Sequence, residues 1–448
     1  MHRIFEEVLD MIARADDFVV VDFFLWNPWT GLSDERQRDL AHELASALIS
    51  RKLENPDLPI LVLTDPINRI YAGDEPEFFS HLAATGIPIV FTDLKQLPDS
   101  NRVYAPLARF YGPLISAVLS PTGVLDRRWL VNPFDRNLKP ISLRQFGRML
   151  FFKANHRKVL VTRSEELGIE LLVGSMNPAN GSAAHSNLAL HVTGPVAQAA
   201  LGTELSVARW SATPETLLAD QPDRLEETID RILERTRLAW DDYLSSNATA
   251  KMTWLTESRI RDAVVEAFDT AGPGDAVDIA MFYLSDRSVI RSIKRAARRG
   301  VRIRMVLDAN RDAFGRTKSG IPNRPVAAEL RGLGDRHPID IRWADTRGEQ
   351  FHPKAMAVTR QQGNKDLLLI GSANWTRRNL GDLNLEGDVL ILNPGQAADE
   401  YRTWFNQVWS NAGTHQSTDY EVSAISGWSR FWKTIVYRLQ EALGAGTF

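Results

Sequence analysis

The same order of apolar and polar residues occurs twice along the chain. Residues 3–26 combine apolar positions at helical spacing with a mostly apolar run, which predicts a helix and then a buried strand. Residues 259–284 show the same order, and an ungapped comparison places Asp22 opposite Asp278. The chain therefore contains an internal repeat.

Each half continues with two more apolar runs that end in an acid. These runs span 59–65 and 86–93 in the first half, and 301–308 and 338–345 in the second. Helical stretches lie between them, and an alternation of strands and helices is typical of layered α/β domains. We therefore expect each half to be one α/β unit.

Segments without a counterpart in the other half complete the organisation. We expect a first lobe at 1–214, a helical connector at 215–250, a second lobe at 251–415 and a C-terminal tail at 416–448. The first lobe carries an insertion at about 97–150 that is apolar, aromatic and basic at once.

The C-terminal tail contains a Trp-rich amphipathic segment. Its large apolar residues fall near one helical face: Trp428, Phe431, Trp432, Ile435, Val436 and Leu439. This pattern fits a helix that lies in a membrane interface, and it equally fits a terminal helix docked on the body by its aromatic face.

The second half begins with a predicted strand at 251–258, whereas the first half begins almost at its helix. The matching strand would precede Met1. We therefore expect that native residues, including any targeting segment, are missing before Met1, and a native start at Met1 would contradict this hypothesis.

Composition narrows the classes of function. The net charge of −3 disfavours a dedicated nucleic-acid binder, which usually has a basic domain or stripe. The chain has no cysteine, which excludes disulfides and thiolate metal sites. No run of about 18 apolar residues is present, and this argues against a membrane-spanning helix.

The main chemical signal is a motif that occurs once in each half. His-x-Lys is followed, after a predicted strand, by Gly-Ser-x-Asn, which gives two sets of residues: His156, Lys158, Ser175 and Asn177, and His352, Lys354, Ser372 and Asn374. Imidazoles, ammonium groups and amides together suit a phosphodiester, which needs a nucleophile, a proton donor and stabilisation of developing charge.

The duplicated motif resembles that of the phospholipase D superfamily. The resemblance covers most of the chain except the insertion and the tail. It implies two α/β lobes with mixed sheets packed on each other, and one active site at their interface that works without metal or cofactor. In such a site one histidine forms a phosphohistidine while the other acts as acid and base.

The resemblance also implies roles for the motif residues, although the residues themselves leave the order of the histidines open. His156 would be the nucleophile and His352 the general acid and base. Lys158, Lys354, Asn177 and Asn374 would hold the phosphate, with Ser175 and Ser372 close by. Glu386 would orient a catalytic histidine, and the comparison of the halves places Ala189 at its counterpart.

The sequence departs from the usual family pattern at two positions. An Asp is expected five residues after each Lys, but Arg163 and Thr359 stand there. This weakens assignment to the mainstream lipases, and tyrosyl-DNA phosphodiesterases of the same superfamily also lack the Asp. His185 and His191 are expected to be structural. The basic loop at 307–325 is expected either to meet an anionic group or to be simply solvated.

Three functions remain open at this point. The first is a phosphodiesterase or phosphatidyltransferase acting on phospholipid, resembling cardiolipin synthases and bacterial phospholipase D proteins. The second is a nuclease or DNA-end phosphodiesterase, and the third is a catalytically silent lipid-binding scaffold. For the first we expect a phospholipid membrane surface as partner, no nucleic acid, and peripheral association with a bacterial-type membrane. The side of the membrane and the oligomeric state stay open.

Overall fold

A computed structural model of the chain shows two α/β lobes, one from each half of the sequence. It describes residues 2–32, 37–71, 75–218, 222–237, 251–314, 316–334, 337, 339–361, 365–412 and 417–444. The strands in chain order are β1 (Phe18–Phe23), β2 (Ile60–Thr64), β3 (Ile89–Phe91), β4 (Arg128–Leu130), β5 (Ile141–Ser142), β6 (Lys158–Ser164), β7 (Gly168–Gly174), β8 (Ala189–Thr193), β9 (Lys251–Thr256), β10 (Ala276–Met281), β11 (Arg302–Leu307), β12 (Asp312–Ala313), β13 (Arg316–Thr317), β14 (Ile339–Ala344), β15 (Lys354–Thr359), β16 (Leu367–Gly371), β17 (Gly387–Leu392) and β18 (Ser417–Asp419).

Helices connect the strands and cover the sheets. They span His2–Arg14, Leu40–Glu54, Asn68–Tyr71, Glu77–Ala84, Tyr104–Leu119, Leu143–Met149, Pro195–Ser211, Pro222–Arg237, Ser258–Asp269, Arg287–Arg298, Asn323–Arg331, Gln396–Ser410, Tyr420–Ser423 and Gly427–Leu443. None of the helices in the described ranges is both long enough and apolar enough to cross a bilayer.

The two large sheets share a strand order. The first runs β3-β2-β1-β6-β7-β8, and the second contains the matching series β14-β11-β10-β15-β16-β17, with β18 and β9 added at its edges. Both sheets are mixed, because β1 and β10 each pair in parallel with one neighbour and antiparallel with the other. The predicted α/β class with two mixed sheets is therefore confirmed.

One hydrophobic core joins the lobes. Buried residues of the first sheet, such as Val161 and Val173, belong to the same cluster as Ala355 and Ile370 of the second. Two further clusters lie under the helices on the outer face of each lobe. Burial of apolar surface from both sheets in one cluster fixes the lobes against each other, which is what a site built from both of them requires.

The ungapped comparison of the halves is wrong by two residues in the first strands. Asp22 lies opposite Val159 in β6, whereas Ala280 lies opposite Ala355 in β15. Asp22 therefore corresponds to Ala280 and not to Asp278. The turn between helix and strand is longer in the second half, and a simple apolar pattern does not reveal that difference.

The structure gives positions for the predicted strand before the second lobe, for part of the connector and for part of the tail. The predicted strand before the second helix is β9, which pairs with β17. Within the expected connector, the helix Pro222–Arg237 packs on the shared core through Ile229 and Ile232, and residues 238–250 lie outside the described ranges. Within the expected tail, β18 pairs with β14.

The C-terminal helix, Gly427–Leu443, docks on the second lobe through one side. Tyr437 and Glu441 are its buried residues. Trp428, Phe431 and Trp432 instead face solvent, so the aromatic face is not the docked one.

Candidate functional site

The histidine of each His-x-Lys segment forms a backbone hydrogen bond with the opposite lobe, just before its strand begins. The backbone N–H of His156 donates to the carbonyl of Leu385 at 2.9 Å, and that of His352 donates to the carbonyl of Ser186 at 2.8 Å. In both cases the lysine two residues later begins a central strand, β6 or β15. The two motifs therefore meet at the interface of the lobes.

The opposite lobe also supplies a partner for each imidazole. Nδ1 of His156 lies 2.8 Å from a carboxylate oxygen of Glu386, and Nδ1 of His352 lies 3.1 Å from Oδ1 of Asn187. A carboxylate or amide oxygen accepts from Nδ1–H, which leaves the lone pair on Nε2. The arrangement thus selects, for both rings, the tautomer whose Nε2 can react.

The counterpart of Glu386 in the first half is Asn187, and the expected counterpart Ala189 is wrong. Ala189 lies opposite Gly174 in the sheet, as Asp388 lies opposite Gly371, so each acceptor precedes its strand position by two residues. The sequence comparison had aligned the identical Asn-Leu pairs instead of the strand register. One histidine is therefore matched with a carboxylate and the other with a neutral amide.

The two motif serines hold these acceptors. The hydroxyl of Ser372 donates to Glu386 at 2.5 Å, and that of Ser175 donates to Asn187 Oδ1 at 3.0 Å. We expected the serines beside the phosphate, and the structure places them behind the imidazole partners. The preceding glycine permits this, since a Cβ at Gly174 would come within 2.3 Å of the Leu188 carbonyl.

The two lysines are buried at equivalent positions. Nζ of Lys354 donates to the His352 carbonyl at 2.8 Å, and Nζ of Lys158 makes the same bond to His156. Each ammonium also lies about 5 Å from an aromatic ring, at 5.0 Å for Phe24 and 5.1 Å for its counterpart in the second lobe. Burial lowers the pKa of Lys158 to about 7, and burial and then Lys158 lower the pKa of Lys354 well below its usual value.

The imidazoles are neutral in this environment. Burial lowers the pKa of His156 to about 4, although Glu386 partly opposes the shift. Burial, and after it Lys354, lowers the pKa of His352 well below the usual value. Burial would raise the pKa of Glu386, but His156 and Lys158 hold it below its ordinary value. The site therefore contains two neutral imidazoles, one carboxylate and two lysines, and a bound anion would favour the charged form of both lysines.

Two buried aspartates position the histidines and were not identified as site residues from the sequence. Asp65 accepts from the backbone N–H of Asn155 at 2.7 Å, and Asp308 accepts from that of Phe351 at 2.8 Å. Burial raises the pKa of Asp65 to about 7 and that of Asp308 to about 6. The usable signal was the acid that ends an apolar run in each half.

The motif asparagines differ in their contacts. Oδ1 of Asn177 accepts from the backbone N–H of Leu25 at 3.3 Å, which directs one end of the amide away from the site. Oδ1 of Asn374 is buried and has no hydrogen-bond partner within the described part of the chain. Asn374 therefore has a free acceptor, and it is its Nδ2 group that could donate to a phosphate oxygen.

Two other histidines occupy different surroundings. The ring of His185 lies 5.9 Å from that of His352, so it forms part of the wall of the site, and burial lowers its pKa to about 3. His191 is bonded to Glu170 at 2.9 Å, away from the motifs, as expected for a structural residue. Across the ranges that the structure describes, no cluster of three or more His, Cys, Asp or Glu residues could hold a metal ion.

The basic loop at 307–325 reaches the side of the site. Lys318 donates to the hydroxyl of Tyr283, and its Nζ lies 5.3 Å from the ring centre of Phe282, which in turn lies 4.8 Å from the His352 ring. The loop is thus not simply solvated at Lys318.

The two positions that depart from the family pattern lie far from the histidines. Arg163 forms an ion pair with Asp17 at 2.5 Å, and Thr359 lies opposite Ala276. Five residues of extended strand separate each position from the motif lysine by about 16 Å. Neither residue therefore takes part in the contacts of the site described above.

The second lobe matches a known family. Residues 264–409 match the domain described as "Cardiolipin synthase, PLD-like domain". This range includes His352, Lys354, Ser372, Asn374 and Glu386. No curated protein matches the chain.

Several solved structures resemble the chain to different degrees. Phosphatidylserine synthase from Haemophilus influenzae Rd KW20 has a TM-score of 0.54 and 13% identity, covering 98% of this chain and 91% of its own. Nuc, a phospholipase D family member from Salmonella typhimurium, has a TM-score of 0.29 and 18% identity over 38% of this chain and 98% of its own. NucT from Helicobacter pylori has a TM-score of 0.29 and 15% identity over 38% of this chain and 99% of its own.

The synthase shares the fold over nearly the whole of both chains, and the family match is independent of it. Both agree with two His-x-Lys and Gly-Ser-x-Asn sets meeting between two lobes. Residues 264–409 therefore match a phospholipase D-like domain, and the chain as a whole shares the fold of the synthase.

Proposed function

We propose that the chain is a phosphodiesterase or phosphatidyltransferase that acts on phospholipid through a phosphohistidine intermediate. The observation that carries the proposal is the pair of imidazoles whose Nδ1 atoms are each held by an acceptor from the opposite lobe. Both Nε2 atoms are thereby available beside two buried lysines. A single phosphodiester is the anion that uses two reactive nitrogens and two cations together.

In the first step, the Nε2 lone pair of His156 attacks phosphorus. The bond from phosphorus to the leaving oxygen breaks, and His352 gives that oxygen a proton. The Glu386 carboxylate offsets the positive charge that the phosphorylated ring acquires, which supports His156 as the nucleophile. The bound phosphodiester carries negative charge next to His352 and both lysines, and this charge favours the protonated form that His352 needs as an acid.

In the second step, His352 accepts a proton from water or an alcohol as its oxygen attacks phosphorus. The phosphorus–nitrogen bond breaks, and His156 returns to its neutral form. Lys158, Lys354 and Asn374 hold the phosphate oxygens through both steps. Water as acceptor makes the protein a hydrolase, and an alcohol makes it a transferase.

Two surface features favour phospholipid over nucleic acid. The insertion and the C-terminal helix expose large apolar residues, such as Phe110 and Trp428, which a lipid enzyme can use to approach its substrate. Part of the positive charge of the helix Arg287–Arg298 is neutralised, because Lys294 bonds to Glu329 and Arg295 bonds to Asp269. We accordingly propose peripheral association with a bacterial-type membrane.

A product assay tests the reaction. Vesicles of phosphatidylglycerol and phosphatidylcholine with an added alcohol should yield phosphatidic acid or a new phosphatidyl ester, while single-stranded DNA incubated in parallel stays intact. Cleavage of DNA alone would establish the nuclease alternative, and turnover of neither substrate would favour the silent scaffold. Activity that disappears with a metal chelator would contradict the two-histidine mechanism.

Changing Glu386 to glutamine should lower kcat by about 10²-fold, because the cationic phosphohistidine loses its counter-charge. Glu386 raises the pKa of His156, so its removal lowers that pKa and moves the acidic limb of the kcat/KM profile to lower pH. The measurement is kcat/KM against pH. Glu215→Gln, at an exposed acid, serves as the control. An unchanged profile in the Glu386 variant would remove this residue from the mechanism.

A further inference from the structure

The insertion helix, Tyr104–Leu119, has an unusual distribution of exposure for a helix of a globular protein. Ala105 is its only buried residue. Leu107, Phe110, Leu114 and Val118 follow one another at helical spacing and all face solvent, with Phe110 78% exposed. A stripe of this kind normally packs on another surface, and here it is open.

The C-terminal helix has the same property. It is anchored by Tyr437 and Glu441, and it presents Trp428, Phe431 and Trp432 outward. Trp428 is 71% exposed, and its ring stacks on Phe431 at 5.3 Å between centres. These aromatic residues thus form a cluster of their own that contributes nothing to the core of the lobe.

The two helices are neighbours although they are more than 300 residues apart in sequence. The backbone N–H of Arg102, just before the insertion helix, donates to the carbonyl of Leu443 at 2.7 Å. Gly444 packs so closely on Ser100 that a Cβ would meet the Ser100 carbonyl at 1.5 Å. The insertion helix thus begins where the C-terminal helix ends, and we call the exposed apolar residues of the two helices together the docking face.

We infer that this docking face binds an anionic lipid bilayer, an inference that rests on the proposed action on phospholipid. The insertion at 97–150 holds eight arginines and lysines but three aspartates, in a chain whose net charge is −3. Aromatic and aliphatic side chains combined with basic ones suit the interface of a membrane with anionic head groups.

A second copy of the chain fits the docking face less well. A two-fold symmetric contact places the same patch on both partners, so the basic insertion would face another basic insertion. Like charges brought together in this way oppose association. The charge of the insertion therefore argues for an anionic partner over a self-complementary one.

The C-terminal helix also contacts a segment of the second lobe that leads to Glu386. Glu441, on the inner side of the C-terminal helix, accepts from the hydroxyl of Ser285 and from the backbone N–H of Arg377, the latter at 3.1 Å. Two residues later, Asn379 donates to Glu386, the partner of His156. The bilayer-binding helix thus rests on the segment that orients a catalytic imidazole.

Vesicle sedimentation of the full chain tests the inference. The wild type should bind phosphatidylcholine vesicles that contain phosphatidylglycerol at least about tenfold more tightly than phosphatidylcholine alone. The triple variant Phe110→Ser, Trp428→Ser and Phe431→Ser should lose at least about tenfold of that binding. Leu53→Ser, at a 66% exposed leucine on the helix Leu40–Glu54, should bind as the wild type does.

Absence of wild-type binding, or equal binding by the triple variant, would overturn the inference. So would a wild-type dimer that the triple variant dissociates without any change in vesicle binding, because the face would then be a contact between copies.

The proposed reaction is tested separately in the same proteins. Turnover of a monomeric short-chain phospholipid should be unchanged in the triple variant, and His156→Ala should still bind vesicles. Vesicle binding without any phospholipid turnover would refute the reaction and leave the docking face supported. Turnover of the short-chain lipid without vesicle binding would refute the docking face alone.

Discussion

Replacing His156 with alanine should lower phosphodiester turnover by at least about 10⁴-fold, because it removes the nitrogen that bonds to phosphorus. Replacing His352 with alanine should slow both steps, and the second step more when the leaving group needs no proton. With an activated aryl phosphodiester, His352→Ala should therefore accumulate a covalent phosphoprotein. The measurement is steady-state turnover together with a denaturing quench at alkaline pH, after which a phosphohistidine survives in base and is lost on treatment with acid.

The control is His42→Ala, since His42 is an exposed histidine whose side chain is 51% accessible. It should retain full activity. Accumulation of the covalent species in His156→Ala in place of His352→Ala would reverse the assigned roles. Full activity in both catalytic variants would refute the site.

Changing Lys158 or Lys354 to methionine should reduce kcat/KM by about 10²- to 10³-fold, because each ammonium stabilises charge on the phosphate oxygens. Methionine fills similar volume without a charge, so the variants should fold. Folding stability gives an independent readout. Burial holds the pKa of Lys158 at about 7, against 10.5 ordinarily, so between about pH 7 and pH 10 the unfolded state binds more protons.

Lys158 therefore makes the stability of the wild type rise with pH between about pH 7 and pH 10. In Lys158→Met this contribution is absent, and thermal unfolding at several pH values measures the difference. Lys95→Met, at an exposed lysine, should change neither activity nor the pH dependence of stability. A variant at Lys158 that unfolds at lower temperature than the wild type at pH 7 would contradict the argument from burial.

Much of the fold could be predicted because apolar runs and helical periodicity are local properties of the sequence. The strands that carry Lys158 and Lys354 were predictable in this way. The two motifs that meet between the lobes could also be found in the sequence, because His-x-Lys and Gly-Ser-x-Asn recur with nearly equal spacing. The confirmed α/β class and the family match of residues 264–409 rest on these local and repeated signals.

What could not be predicted depends on register and on contacts between the lobes. Aligning identical letters paired Glu386 with Ala189, whereas hydrogen bonding across the sheet pairs it with Asn187. The hydrogen bonds of Ser175 and Ser372 could not be predicted for the same reason. Their acceptors can be identified only once the register of the strands is known. The spacing of residues along the sequence does not indicate which loop of one lobe contacts the histidine of the other.

The acceptors that Glu386 and Asn187 provide make each lobe depend on the other. Each acceptor belongs to the lobe that does not contain the histidine it contacts. The group that accepts from each imidazole is therefore supplied by the opposite lobe. Exchanging nucleophile and acid would need no change near either histidine, only a swap of one carboxylate and one amide between two loops. A change in either acceptor loop would thus alter the histidine of the opposite lobe and leave the lobe that carries that histidine unchanged.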